Sequence, residues 1–433
     1  MKRSIRVAAL QLRAHEREGF ATALDGIAAA VEEASAGAEL VVLPEATFPA
    51  YVLGDSSIDD AAVERAVARL RELARRTATA IVVGAAVRSG PALRNAALVI
   101  DRNGSVAGRA DKLFLWHFDR RWFEAGDRLE PIDTSVGRLG VLICADGRIP
   151  TIARALVDRG AEMLVMPTAW VTSGRDPAHL ENVQADLLAR VRAFENGVPF
   201  VAANKCGAEL GMVAYCGKSQ IVGASGTPLA MAGELEPETL RATVETGLGR
   251  PHRTQPALPP ERRAPSLAAF RIAVSCRDLP SDVDRRLELL DDAFALAPGE
   301  HGRLHALDRV FPAAAVADGD VLDPAGLVGY RRAGYRLIVW QTSLDVELAQ
   351  RLARARALEL RVYAVVFVRA ADRAFAVDPD GTIVAGTFGG FTLASFLLDP
   401  RKAAETSVAP STDVVEGLAR AAAIAVTGDA IRA

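Results

Sequence analysis

The chain has 433 residues, half of them hydrophobic and 24% charged, a globular composition whose length calls for two or three domains. Lys and Arg number 51 against 54 Asp and Glu, and a net charge of −3 lacks the basic footprint that nucleic-acid binding needs. Four cysteines without a C-x-x-C pair speak against a disulfide scaffold or thiolate zinc site, and there is no apolar run of about 18 residues to span a membrane.

At the start, Arg6 and Gln11 interrupt an apolar run too short for a secretory signal, so a cytoplasmic protein is expected. Val7 to Leu12 reads as a strand, and Phe20, Leu24, Ile27, Val31 and Ala34 recur at helical spacing. Leu40 to Leu43 is a short buried strand. Val63, Ala66, Val67, Leu70 and Leu73 mark a second amphipathic helix, followed by a strand from Ala80 to Ala86. Strands from Asn95 and from Ser105 flank the hairpin turn Arg102-Asn103-Gly104. Leu139 to Ile143 is a strand, Thr151 to Arg159 a helix, and Met163 to Met166 a strand again. This alternation predicts an α/β domain with a buried sheet.

Five prolines between Gly249 and Pro265 mark a linker, so the expected organisation is a domain over 1–248, a Pro/Arg-rich linker over 249–265 and a second domain over 266–433. Ile5 to Ala9 matches Phe270 to Val274, and Gly160 to Thr168 matches Gly334 to Thr342. Arg190, Arg192, Ala193, Glu195 and Val198 fall on Arg354, Arg356, Ala357, Glu359 and Val362, and Ile221 to Thr227 lies on Ala376 to Thr382. Four blocks in one order predict a truncated repeat of the first domain.

Three polar residues sit just past three strands: Glu45, Lys112 and Cys144. In α/β sheets that edge binds ligands. A cysteine there, ahead of a helix and near an ammonium, is expected to favour the thiolate. Glu45 can take the thiol proton, Cys144 can attack a carbonyl or nitrile carbon, and Lys112 can stabilise the oxyanion.

Leu43-Pro44-Glu45, Asp111-Lys112-Leu113 and the block Gly140 to Pro150 around Cys144 resemble the three signature blocks of the nitrilase, or carbon-nitrogen hydrolase, superfamily. The resemblance runs in order from residue 5 to about 245 and includes Gly160 to Leu164 and Arg192 to Asn204. It implies a four-layer αββα sandwich, a Glu-Lys-Cys triad, a thioester intermediate, and no metal or organic cofactor. It also implies a second carboxylate that holds the lysine, at Asp119, one methylene shorter than the family's glutamate, with Glu124 as the other carboxylate in that block. Cys144-Ala145-Asp146 resembles amidases and N-carbamoyl hydrolases more than true nitrilases. Arg148 takes the place of an arginine that binds a substrate carboxylate, with Arg175 in the next loop and Ala145 and Trp170 as further substrate contacts. Trp116 and His117 are pocket or core residues.

The implied activity is hydrolysis of a small amide or N-carbamoyl substrate; the alternatives are a nitrile hydrolase and a non-catalytic scaffold on the same fold. In the second copy Asp318 falls where Cys144 stands, so that copy is expected to be silent, and to cover the first as an intramolecular pseudo-dimer unless the chain forms a homodimer. Cys206, Cys216 and Cys276 read as core residues, Glu195 as structural, and the His301/His305 spacing as no metal site, since it has no acidic partner.

Overall fold

The computed structural model describes residues 3–430 except 56, 173, 175–178, 248, 251–259, 263–267, 280, 284–286 and 288–292; for 426–430 it describes the backbone alone. The chain divides into two compact units: Met1–Pro251 with Ala409–Thr412 and Ala419–Ala433, and His252–Val408 with Asp413–Leu418. Part of the C-terminal stretch that the sequence places in the second domain thus belongs to the first unit. Most of the expected linker, and Arg175, lie outside the described residues.

In the first unit, β1 (Arg3–Arg13) pairs in parallel with β2 (Leu40–Val42) and antiparallel with β14 (Glu238–Thr246). The sheet continues through β3 (Ala80–Ser89), β4 (Ala92–Ile100) and β5 (Val106–Asp111), and on the other side through β10 (Lys205–Glu209) and β11 (Val213–Cys216). The predicted hairpin is the β4–β5 turn, and β5 is an edge strand with no buried residue. A second sheet runs β13 (Pro228–Met231), β12 (Gln220–Val222), β9 (Phe200–Ala203), β8 (Met163–Pro167), β7 (Gly137–Val141) and β6 (Ile132–Thr134).

Helices α1 (Phe20–Ser35) and α2 (Asp60–Thr77) cover the first sheet. Their apolar faces, Phe20, Ile27 and Val31 on one and Val63, Leu70 and Leu73 on the other, share a core with Val41, Ile81 and Val83 of the sheet. Asp59 caps α2 by accepting from the Ala62 amide at 3.0 Å. Helices α3 (Pro150–Asp158) and α4 (Ala189–Asn196) lie on the second sheet, and β1, β2 and β3 meet β8 and β9 across the middle. The result is the four-layer αββα sandwich. Strands buried on both sides read as continuous apolar runs, which is why they were visible in the sequence.

In the second unit, β15 (Phe270–Ser275) pairs in parallel with β16 (Ala293–Leu296) and antiparallel with β22 (Leu393–Leu398). A five-stranded sheet runs β17 (Ala313–Val316), β18 (Leu337–Thr342), β19 (Tyr363–Val368), β20 (Arg373–Val377) and β21 (Ile383–Gly386). Its pairing sense, parallel twice and then antiparallel twice, is that of β7-β8-β9-β12-β13.

Candidate active site

Glu45 follows β2, and the backbone there lies directly on Gly84 of β3. A Cβ at Gly84 would come within 2.5 Å of Pro44 O, Glu45 Cα and Ala46 N, so only glycine admits this approach. Glu45 Oε1 accepts from Lys112 Nζ and from Asn95 Nδ2, both at 2.7 Å. Its other oxygen, Oε2, is buried with no hydrogen-bond partner among the described residues. Lys112 Nζ also lies 2.6 Å from Asp119 Oδ2, and Asp119 in turn accepts from the Tyr51 hydroxyl at 2.8 Å and the Trp116 amide at 2.9 Å. All three charged side chains are fully buried. Burial works against the Lys112 charge, but the Asp119 and Glu45 carboxylates outweigh it and hold the ammonium well above its ordinary range.

Asp119 therefore reaches the lysine despite its shorter side chain. It sits in a single 3₁₀ turn, His117–Arg121, entered through a left-handed His117 (φ +41°). Glu124 stands apart: it is exposed and only loosely paired, 3.9 Å from Arg94.

Cys144 begins a five-residue 3₁₀ turn after β7, in the left-handed region at φ +45°. Asp146 fixes this turn. One of its oxygens accepts from Ile143 N (3.0 Å), the other from Leu113 N (3.0 Å) and Phe114 N (2.7 Å), tying the cysteine segment to the lysine segment. Burial raises the Asp146 carboxyl to about 7, against the pull of those amides and of Lys112. The expected thiolate is not found. Burial, then the Glu45 carboxylate, push the Cys144 thiol up to about 12, while Lys112, Thr168 and the Ala169 backbone pull the other way. The turn before α3 is too short for a helix dipole to offset burial beside a carboxylate, so these surroundings favour the neutral thiol.

Ala145 is buried in the turn beside Cys144. Arg148 closes that turn and stacks over Trp116 at 4.6 Å from the ring centre. Burial lowers its guanidinium to about 10, with Cys144 opposing, and among the described residues no carboxylate pairs with it. Trp170 is 1% exposed, its amide donates to Asn204 Oδ1 at 2.7 Å, and its indole nitrogen has no partner among the described residues. Glu195 is a structural partner of Arg192, whose Nε donates to the Gly147 carbonyl at 2.9 Å. Cys206, Cys216 and Cys276 are buried and free, and among the described residues no group of three His, Cys, Asp or Glu could hold a metal.

Sequence reasoning missed Asn95, Tyr51, Asp146 and a second buried pair. Lys205 Nζ lies 2.7 Å from Glu209 Oε1 and donates to Ala46 O at 3.2 Å, and Glu209 accepts from Val52 N at 2.8 Å, so the pair braces the segment that carries Glu45 and Tyr51. Both Lys112 and Lys205 lie 5.9 Å from the Tyr51 ring centre. Only Asp146, three positions after Ile143 whose amide it caps, left a local signal.

The sequence profile described as "Carbon-nitrogen hydrolase" matches residues 6–253. The chain is 32% identical over 227 residues to a protein named nitrilase from Pyrococcus abyssi, covering 51% of this chain and 82% of that one. It is 32% identical over 239 residues to a deaminated glutathione amidase from Escherichia coli O157:H7, covering 52% and 86%. Among solved structures, a mutant of the amidase from Nesterenkonia sp. AN1, showing covalent addition of the acetamide moiety of fluoroacetamide at the active site cysteine, superposes with a TM-score of 0.50. Its identity is 30%, over 55% of this chain and 89% of that one.

Proposed function

The chain belongs to the carbon-nitrogen hydrolase family, and on that premise we propose that its first unit hydrolyses a small amide or N-carbamoyl compound bearing a carboxylate, through a Cys144 thioester. The observation that carries this reading is the buried Glu45–Lys112–Asp119 array beside the buried Cys144, with Glu45 Oε2 lacking a hydrogen-bond partner among the described residues.

Because the thiol is neutral at rest, its proton must leave as the carbon–sulfur bond forms. Glu45 Oε2 is the base that receives it. The carbonyl oxygen becomes an oxyanion stabilised by Lys112 and by the Ala145 amide, whose place in the first turn leaves it without an intrahelical acceptor. Glu45 then returns the proton to the departing nitrogen, ammonia or an amine leaves, and the thioester remains. Glu45 next deprotonates water, hydroxide adds to the thioester, and the sulfur departs with that proton. Asp119 positions Lys112 and keeps it charged throughout, so no step calls for a metal.

Arg148 supports the anionic part of the reading. A guanidinium stacked on Trp116 without a carboxylate partner among the described residues has donors to spare for a substrate carboxylate. Cys144→Ala is expected to abolish ammonia release from amides and carbamoyl compounds while leaving the thermal transition in place; residual turnover near the parent rate would overturn the proposal. No helix of the described residues is long and apolar enough to cross a membrane.

A further inference from the structure

The second unit repeats the first in register as well as in strand order. Leu139 pairs with Met163 as Ala313 pairs with Leu337, Leu164 with Phe200 as Ile338 with Ala364, and Val222 with Phe200 as Val377 with Ala364. Both sheets carry a register shift at the same place, Ile221/Val222 and Ala376/Val377. The buried Arg356–Glu359 pair reproduces Arg192–Glu195, and Arg356 Nε donates to the Val321 carbonyl at 2.9 Å as Arg192 does to Gly147.

This register locates the counterpart of the catalytic site. Val7 stands beside Leu40 and Ile272 beside Phe294, so Leu43-Pro44-Glu45 falls on Ala297-Pro298-Gly299. Cys144 falls on Asp318, whose carboxylate accepts from the Trp340 indole at 2.8 Å. Only residues 297–312 separate β16 from β17, where the first unit spends residues 43–136 between β2 and β7. The strands that bring Asn95, Lys112 and Asp119 into the first site have no room in the second. What remains between the strand ends is a cavity of about 170 Å³.

We propose that the second unit is a degenerate copy of the first and that this cavity is a non-catalytic binding site for a small uncharged aliphatic carboxamide. Its floor is Leu296, Ala297, Val316 and Val339, all buried, which suits a short hydrocarbon body. A cavity of this size holds a ligand of about benzene's bulk. Its rim is polar and two-sided. Gln341 Oε1 is taken by the Arg369 guanidinium, which leaves the Gln341 amino group to donate; Glu300, 3.9 Å from Arg303, offers an acceptor beside His301. A carboxamide answers both, its carbonyl to Gln341 and its amino group to Glu300, whereas a carboxylate would face the Glu300 charge. With Glu45 replaced by glycine and the cysteine by aspartate, the site holds such a molecule without cleaving it.

The test is a titration of the full-length Cys144→Ala chain with butyramide, read from the methyl resonances of Leu296, Val316 and Val339. Saturable shifts at millimolar ligand, weakened at least tenfold by Ala315→Phe, which fills the cavity from an exposed strand position, and by the rim substitution Gln341→Ala, are expected. Butyrate and butylamine should each bind at least tenfold more weakly. Methyl signals that stay still, that respond equally to the three ligands, or that respond unchanged in the Gln341→Ala chain overturn the proposal. The readout lies in the second unit, so it fails or succeeds independently of Cys144 chemistry.

Discussion

Replacing Glu45 with glutamine keeps the shape of the site and removes one charge. The Asn95 and Lys112 contacts to Oε1 at 2.7 Å can persist, because the glutamine oxygen still accepts both. Two consequences oppose each other. Loss of the base should lower turnover by roughly 10²–10⁴-fold, about 3–5.5 kcal/mol of barrier. Yet the same carboxylate is the second-largest cause holding the thiol at about 12, so neutralising it moves the thiol down. At pH 8 a thiol at about 12 is ionised in roughly one molecule in 10⁴, and each unit of decrease raises that fraction about tenfold. Ammonia release measures the first effect; the pH dependence of Cys144 alkylation by iodoacetamide, followed by intact mass, measures the second. The variant should turn over slowly while its alkylation profile shifts to lower pH. Turnover within tenfold of the parent would refute the assignment of Glu45 as base, and an alkylation midpoint that is unmoved or raised would refute its hold on the thiol.

Gly84→Ala forces a Cβ into the backbone that carries Glu45, so the thermal midpoint should fall, by about 1–3 kcal/mol of stability, and turnover with it. Arg148→Met should raise KM for carboxylate-bearing substrates by roughly 10–100-fold, the worth of a charged hydrogen bond, and leave neutral amides nearly unaffected; equal effects on both classes would remove its assigned role. Glu209 is buried, which opposes its charge, but Lys205 and the Val52 amide hold its carboxyl below the ordinary range. Its contribution to stability is therefore complete above its unfolded value and lost as pH falls through the lower folded one. Glu209→Gln should flatten the acid side of the thermal midpoint against pH, and should lower the midpoint at neutral pH by leaving Lys205 buried without its counter-charge.

The elements that were legible in sequence are those with strong local periodicity. The continuous apolar runs of β2 and β8 and the 3.6-residue spacing of α1 and α2 reflect burial on two faces or on one, and burial pattern is a local property of the chain. The hairpin of β4 and β5 was legible from its turn residues, whereas the place of β5 at the edge of the sheet follows from the tertiary pairing. Within the site, Glu45, Lys112, Cys144 and Asp119 were nameable because each belongs to a short block. Asn95, Tyr51 and the Lys205–Glu209 pair belong to none, and their roles come from contacts across dozens of residues.

Residue identity and order by themselves determined the fold class, the four charged and thiol groups of the array, and the spacing of the repeated blocks. Tertiary structure alone decided the upward push on the Cys144 thiol, the ability of Asp119 to reach Lys112, and the opening of a cavity in the second unit. The reason is that an ionisation equilibrium or a void depends on what surrounds a group in space, and those surroundings are assembled from strands far apart in the chain.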